Sequence, residues 1–229
     1  MNNSFIQKTP PIIDGTLRKT ALRVPEAIKQ CSGITIFGKH LKSIVFTTDV
    51  SIIRNVNADA VLAVYPFTPQ PIISESILMA ADIPVFAGVG GGLTTGKRVI
   101  QMAMQAEMQG AIGVVLNAPT SNEVILNVSE MVDIPIVISI VQENEDIDAR
   151  VNSGAKIFNV SAAAKTPEIV RAIRRKYPDF PIIATGGNNE ESILETIEAG
   201  ANSITWTPPS NSEIFKEIMS AYRKGLPHP

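Results

Sequence analysis

From Lys42 onward, eight short runs of β-branched and apolar residues recur, each separated from the next by a longer amphipathic stretch. That alternation narrows the fold more than any other feature of the chain. The runs are IVFTTD at 44–49, AVLAVY at 60–65, PVFAGV at 84–89, IGVVLN at 112–117, PIVISI at 135–140, KIFNVS at 156–161, PIIATG at 181–186 and SITWTP at 203–208. Each is nearly continuous in apolar residues, as a parallel strand covered on both faces must be, and strands that alternate with helical stretches are βα units, not hairpins. Two kinds of strand entry also alternate. Ala58-Asp59-Ala60, Gly110-Ala111, Gly154-Ala155 and Gly200-Ala201-Asn202 lead into the even-numbered runs, whereas Ile83-Pro84, Ile134-Pro135 and Phe180-Pro181 lead into the third, fifth and seventh. This implies a duplicated two-unit repeat, with each proline at a first strand position, where the ladder barely needs its N–H.

The stretches between the runs read as helices. Thr94 to Gln109 carries Val99, Met102, Ala103, Ala106 and Met108 on one stripe. Glu190 to Glu198 follows two candidate caps, Asn188 and Asn189, has acids in its first turn and stops at Gly200. Residues 211–223 are expected to form the closing helix. Eight parallel strands, each followed by a helix, predict an α/β chain folded as a (β/α)8 TIM barrel over 44–229. Its loops must be short, since such barrels usually run to about 250 residues. An open doubly wound sheet is the rival, but it would leave exposed edges. Residues 1–43 form an N-terminal extension with a proline-rich start at Thr9-Pro10-Pro11, a short helix around Pro25 to Cys31 and an extra strand at Ile34 to Phe37. That extension is expected to cap one end of the barrel, without making a separate domain.

Composition removes several functions. One cysteine, Cys31, precludes an internal disulfide, and two distant histidines, His40 and His228, make no zinc site by themselves. A formal net charge of −2 gives no cationic footprint for nucleic acid or an anionic membrane. No apolar run approaches the roughly 18 residues of a bilayer span, and no uninterrupted apolar leader is present. A cytoplasmic protein is expected, and self-association into a homo-oligomer, common among soluble proteins, is expected with it.

In a barrel of this kind function sits at the carboxyl ends of the strands. The polar residues there include Asp49, Tyr65, Asn117, Ser139, Asn159, Ser161, Thr185 and Thr205. Asp49 is the candidate base, Tyr65 a donor to a developing oxyanion, and Asn117 and Asn159 a pair able to share a substrate hydroxyl or carbonyl. For each of these alone, capping of the adjacent loop is the competing explanation. No organic cofactor is expected; a divalent metal shared by Asp49, Asn117 and Asn159 stays open. Two glycine-rich loops stand out. Thr185-Gly186-Gly187-Asn188 precedes a helix, so its N–H groups and the helix dipole suit a phosphate, with Thr207 and Ser210 completing the cup; tight turns that need glycine for their own sake are the alternative. Gly91 to Lys97 fits the GxxxxGK part of a nucleotide loop, but Arg98 stands where Ser or Thr would hold Mg²⁺, which rejects a Walker motif. Lys97 and Arg98, set against the helix dipole, remain candidates for anion contact or simply solvated charges.

The segment 181–210 resembles the phosphate-binding barrels of the ribulose-phosphate type, which implies a substrate phosphate held by the loops after the seventh and eighth strands. Pro208-Pro209 departs from their second glycine turn. From Ile83 to Ile204 the order of features is also similar to aldolases of 2-keto-3-deoxy-6-phosphogluconate: Ala87-Gly88-Val89-Gly90-Gly91-Gly92-Leu93-Thr94, then Ile134-Pro135, then Tyr177-Pro178-Asp179-Phe180-Pro181 before Thr185-Gly186-Gly187. The Schiff-base lysine of that family falls on Asn159, so its lysine chemistry does not carry over; Lys97 and Lys165 are other loop lysines near the rim. Together these features lead to the expectation of a lyase, isomerase or epimerase that abstracts a proton from a small phosphorylated sugar or keto acid. A hydrolase at the same rim and a non-catalytic phosphometabolite sensor are the alternatives.

Overall fold

The computed structural model describes residues 22–187 and 189–228, with isolated positions 9, 11, 13 and 15 before them; Pro10 and Asn188 lie outside the described residues. A hairpin, β1 (Ile34–Ile36) and β2 (Lys39–Leu41), precedes the eight-stranded unit. Strands β3 (Ser43–Phe46), β4 (Ala60–Ala63), β5 (Val85–Gly90), β6 (Gly113–Leu116), β7 (Ile136–Ile140), β8 (Ile157–Val160), β9 (Ile182–Thr185) and β10 (Ser203–Trp206) pair in parallel in chain order. β10 returns to β3 to close the ring. Helices α1 (Val50–Ile53), α2 (Pro71–Ala80), α3 (Lys97–Met108), α4 (Asn122–Ser129), α5 (Ile147–Asn152), α6 (Thr166–Lys176), α7 (Glu190–Glu198) and α8 (Asn211–Arg223) follow β3 to β10 in turn. The fold is a (β/α)8 barrel, and each strand falls within or one residue beyond its predicted run. The α3 stripe is buried at Val99, Met102, Ala103 and Ala106, whereas Met108 is exposed.

The strands are apolar throughout because both faces are covered, and the two faces build separate cores. Val45, Val61, Val114, Ile138, Phe158 and Ile204 point outward to the helices. Ile44, Leu62, Phe86, Val115, Val137, Ile157 and Ile183 fill the barrel, where they meet Ile34, Ile36 and Leu41 of the hairpin. Ser203 Oγ donates to Leu41 O (2.7 Å) and Gly33 N–H to Asn202 O (2.8 Å), which fixes the hairpin against the amino-terminal ends of the strands. The carboxyl-terminal ends are left open.

The predicted closing helix does not close the helical layer. α8 has no buried residue, and Phe215, Met219 and Tyr222 on it are exposed. The segment Leu22–Cys31, whose middle is a 3-10 helix at Glu26–Gln30, runs between α7 and the turn after α1. Its backbone bonds to Asn55 and Asn57, and Val24 N–H donates to Asn57 Oδ1 (2.8 Å). Val24, Ala27, Ile28 and Cys31 are spaced i, i+3, i+4, i+7 and are all buried in the outer core. This segment therefore occupies the slot over the β10–β3 seam that an eighth helix would fill in a regular repeat. Ile28→Ala is expected to destabilise the chain by about 2–5 kcal/mol, and Phe215→Ser by no more than about 0.5 kcal/mol. Urea unfolding of the two variants checks the assignment, and the reverse order of losses contradicts it.

Candidate functional site

The alternation that sends apolar residues inward along each strand brings polar ones inward at the open end. Asn117 follows β6, Ser139 lies in β7, Asn159 in β8 and Thr205 in β10, all with the parity of the barrel interior. Ser139 and Asn159 are register partners across β7 and β8. One turn further out, Thr185 Oγ1 donates to Ser161 Oγ (3.1 Å). Asn117, Ser139, Asn159 and Ser161 share a mouth of about 560 Å³ with Phe46, Val64 and Val141, and none of its lining residues carries a charge. Asn159 Oδ1 here, and Thr205 Oγ1 in the neighbouring hollow beside Thr207, have no hydrogen-bond partner within the protein, in residues 7% and 5% exposed. Buried polar atoms nearly always find partners, so the unpaired oxygen of Asn159, a residue that lines the mouth, makes this a candidate place for a ligand.

Two devices hold Asn117 in position. Its N–H donates to Gly90 O (3.0 Å), just past a register shift between Gly88 and Gly90 in the pairing of β5 with β6. Gly91 follows with φ +110°, and a Cβ there would stand 2.5 Å from Asn117 Cβ, so only glycine admits this approach. On the other side, the buried Arg150 of α5 spans the loop after Asn117. It donates to Ala118 O (2.8 Å), Asn122 Oδ1 (2.9 Å) and Thr120 O, and pairs with Glu145 (2.6 Å). The strand-end search missed Arg150, because its targets are mostly backbone carbonyls about thirty positions upstream.

Asp49, Tyr65, Gly186 and Ser210 each have a local structural duty that competes with the role expected of them. Asp49 caps α1: Oδ1 accepts from Ser51 N–H (2.8 Å), Ser51 Oγ (2.7 Å) and Ile52 N–H (3.2 Å), and Oδ2 accepts from Asn211. These bonds, that of the Ser51 hydroxyl foremost, hold its carboxyl below the usual range, which makes it a poorer base. The Tyr65 hydroxyl accepts from Gln70 N–H (2.8 Å) and ties the ends of its own loop together. Gly186 is required by packing, since a Cβ would lie 2.7 Å from Ile204 and 2.8 Å from Ile193. Gly187, at φ +79°, is required by the turn. The Ser210 N–H and hydroxyl both bond to Glu213 Oε2 in the α8 capping box. Thr207 borders a hollow of about 450 Å³ with Gly187, Thr205 and Glu190, whose lining includes no lysine or arginine. Lys97 and Arg98 begin α3 exposed and line neither this hollow nor the mouth. Lys165 pairs with Glu143 (2.6 Å) on the surface, and that hydrogen bond raises its pKa, the opposite of an activated amine.

Among the described residues no three His, Cys, Asp or Glu side chains gather as a metal site. Hard divalent cations favour carboxylate oxygens, and the mouth offers amides and hydroxyls, so its donor set does not fit such an ion. Among the described residues no helix is long and apolar enough to cross a membrane.

No described family and no curated protein matches the chain. Solved structures share its fold at low identity. It is similar to 2,3-dimethylmalate lyase, a member of the PEP mutase/isocitrate lyase superfamily, at TM-score 0.63 and 14% identity over 88% of this chain and 86% of that one. A phosphonopyruvate hydrolase in complex with oxalate and Mg++ gives 0.62 and 12% over 83% and 85%. An aldolase gives 0.56 and 16% over 84% and 97%.

Loss of the buried guanidinium should be costly. Arg150→Met is expected to lower stability by about 3–5 kcal/mol by stranding Glu145 and the loop carbonyls. Arg150→Lys should recover only part of it, since one ammonium cannot span the same acceptors. Urea unfolding of both variants measures this, and a loss below about 1 kcal/mol in Arg150→Met contradicts the clamp.

Proposed function

We propose that this barrel binds a small oxygen-rich metabolite, a phosphorylated sugar or a keto acid, at its carboxyl-terminal mouth through neutral amides and hydroxyls. The unpartnered Asn159 Oδ1 carries this reading. An acceptor kept buried without a partner costs stability, and a ligand that pairs with it recovers that cost. Asn117 and Asn159 reach the mouth from different strands and suit a carbonyl or vicinal hydroxyls; the phosphate of a phosphorylated ligand would rely on hydroxyls and backbone N–H groups. The mouth supplies polarisation but no strong base, which favours binding and reporting of the metabolite over chemistry on it.

Turnover is the second reading. The similar solved barrels are named as a lyase, a hydrolase and an aldolase, and this supports lyase, isomerase or hydrolase activity at the same rim. Asp49, beside β3, would then be the proton acceptor despite its cap.

Two variants test these readings. Asn159→Leu removes the orphaned carbonyl at nearly constant volume, so the ligand-free protein should gain about 1–3 kcal/mol while its thermal shift with phosphorylated sugars and keto acids disappears. A loss of stability, or an unchanged ligand shift, counts against Asn159 as a ligand contact. In the same panel, product formation abolished by Asp49→Asn with the thermal shift retained establishes turnover; shifts without product in the unaltered chain establish binding alone.

A further inference from the structure

The mouth at the carboxyl-terminal end of the barrel is not uniform around its rim. In the closed ring β3 stands four strands from β7 in either direction, and β4 four from β8, so the two pairs face each other across the barrel. An eight-stranded barrel is only wide enough inside for one small ligand, so whatever enters the mouth meets both sides. On one side β3 and β4 contribute Phe46, Leu62 and Val64 and nothing polar. Phe46 lies two residues after Ile44, and Val64 two after Leu62, so both keep the parity of the barrel interior. On the other side, every polar residue of the lining, Asn117, Ser139, Gln142, Asn159 and Ser161, comes from β7, β8 or the residues just after β6, β7 and β8. Apolar residues occur on both sides and polar ones on one.

That distribution selects among oxygen-rich ligands. A sugar carries a hydroxyl on nearly every carbon, and those turned toward Phe46, Leu62 and Val64 would give up water and find no partner, which weakens binding. A phosphate would bring charge to a lining that holds no cation. A 2-oxo acid instead gathers its oxygens at one end and leaves the rest of its skeleton apolar. Its single carboxylate meets amide and hydroxyl donors; Ser161 Oγ accepts from Thr185, so its own proton remains for a ligand.

We propose that the mouth takes a 2-oxo acid with a branched alkyl side chain, or the 2-hydroxy acid of the same skeleton, its oxygens toward Asn117, Ser139, Asn159 and Ser161 and its side chain against Phe46, Leu62 and Val64. The inference rests on the mouth being a ligand site and narrows the ligand to one that is polar at a single end. Phe46, Leu62 and Val64 are then the residues that set specificity. In the hydroxy form the hydroxyl can donate to Asn159 Oδ1, the acceptor without a partner.

Titration of the whole chain, followed by methyl NMR, compares pyruvate, 4-methyl-2-oxopentanoate and ribose 5-phosphate. The branched acid is expected to shift the Leu62 methyls and to bind at least about tenfold more tightly than pyruvate, since each buried methylene contributes about fourfold. Ribose 5-phosphate should bind more weakly than the branched acid. Phe46→Ser should remove most of the gain over pyruvate, and Val64→Thr, which sets a hydroxyl in the apolar wall at similar volume, should reduce it about threefold or more while the chain stays folded. Neither should move pyruvate affinity by more than about twofold. Run beside the oxo acid, 4-methyl-2-hydroxypentanoate tells which oxidation state the mouth holds, by which of the two binds more tightly. Equal binding of pyruvate and the branched acid, or tighter binding of ribose 5-phosphate, overturns the one-ended ligand while the mouth stands. Unchanged binding of the branched acid to Asn159→Leu overturns its orientation. If no probe shifts the methyls of Leu62 or Val141, the mouth reading fails and the inference falls with it.

Discussion

The pairing of β10 with β3 is the constraint on which the rest of the molecule depends. Ile204 stands opposite Ser43 and Trp206 opposite Val45, and Ile204 N–H donates to Lys42 O at 2.9 Å. Without that seam, β3 and β10 would each present an unpaired row of backbone groups. With it, every strand has two neighbours and two covered faces, which is why the strands are apolar on both. Polar side chains can then enter the interior only where the strands end. The hairpin occupies one end of the ring, so the other is left for chemistry.

Much of this was legible in the linear pattern. Continuous apolar runs with alternating entries located all eight strands, and the Asn-Glu-Glu start and glycine stop located α7 to the residue. The partner strand β2 was missed because Lys39-His40-Leu41 carries little β-branched signal and owes its pairing to the tight turn at Phe37 and Gly38. The stripe Val24, Ala27, Ile28, Cys31 was visible as a short helix, but its destination on the far seam of the barrel is a long-range fact that no local pattern encodes.

At the site, parity along the strand was the informative signal and residue type was not. Asn117 and Asn159 reach the interior because their positions demand it. Asp49 and Ser210 have side chains of the right chemistry, yet each lies immediately before a helix, where a carboxylate or hydroxyl is drawn to the free N–H groups. Ser210 followed three residues later by Glu213 is a capping box readable in the sequence, and it competes with any role in a phosphate cup. Gly186 shows the same competition in another form: a glycine that looks made for an anion is there to let α7 approach β10. The lining of the mouth carries no charge, and Asp49, Glu143 and Glu213 outside it are each paired with neighbours.

The residues Leu22–Cys31 that cover the seam have one more consequence, in the order of synthesis. Chains emerge from the ribosome amino terminus first, so the piece that seals the ring is made before any strand of it. When β10 is made its cover has already been synthesised, so closing the seam does not depend on α8. α8 is thereby relieved of covering the seam, and its exposed face can vary without loosening the barrel.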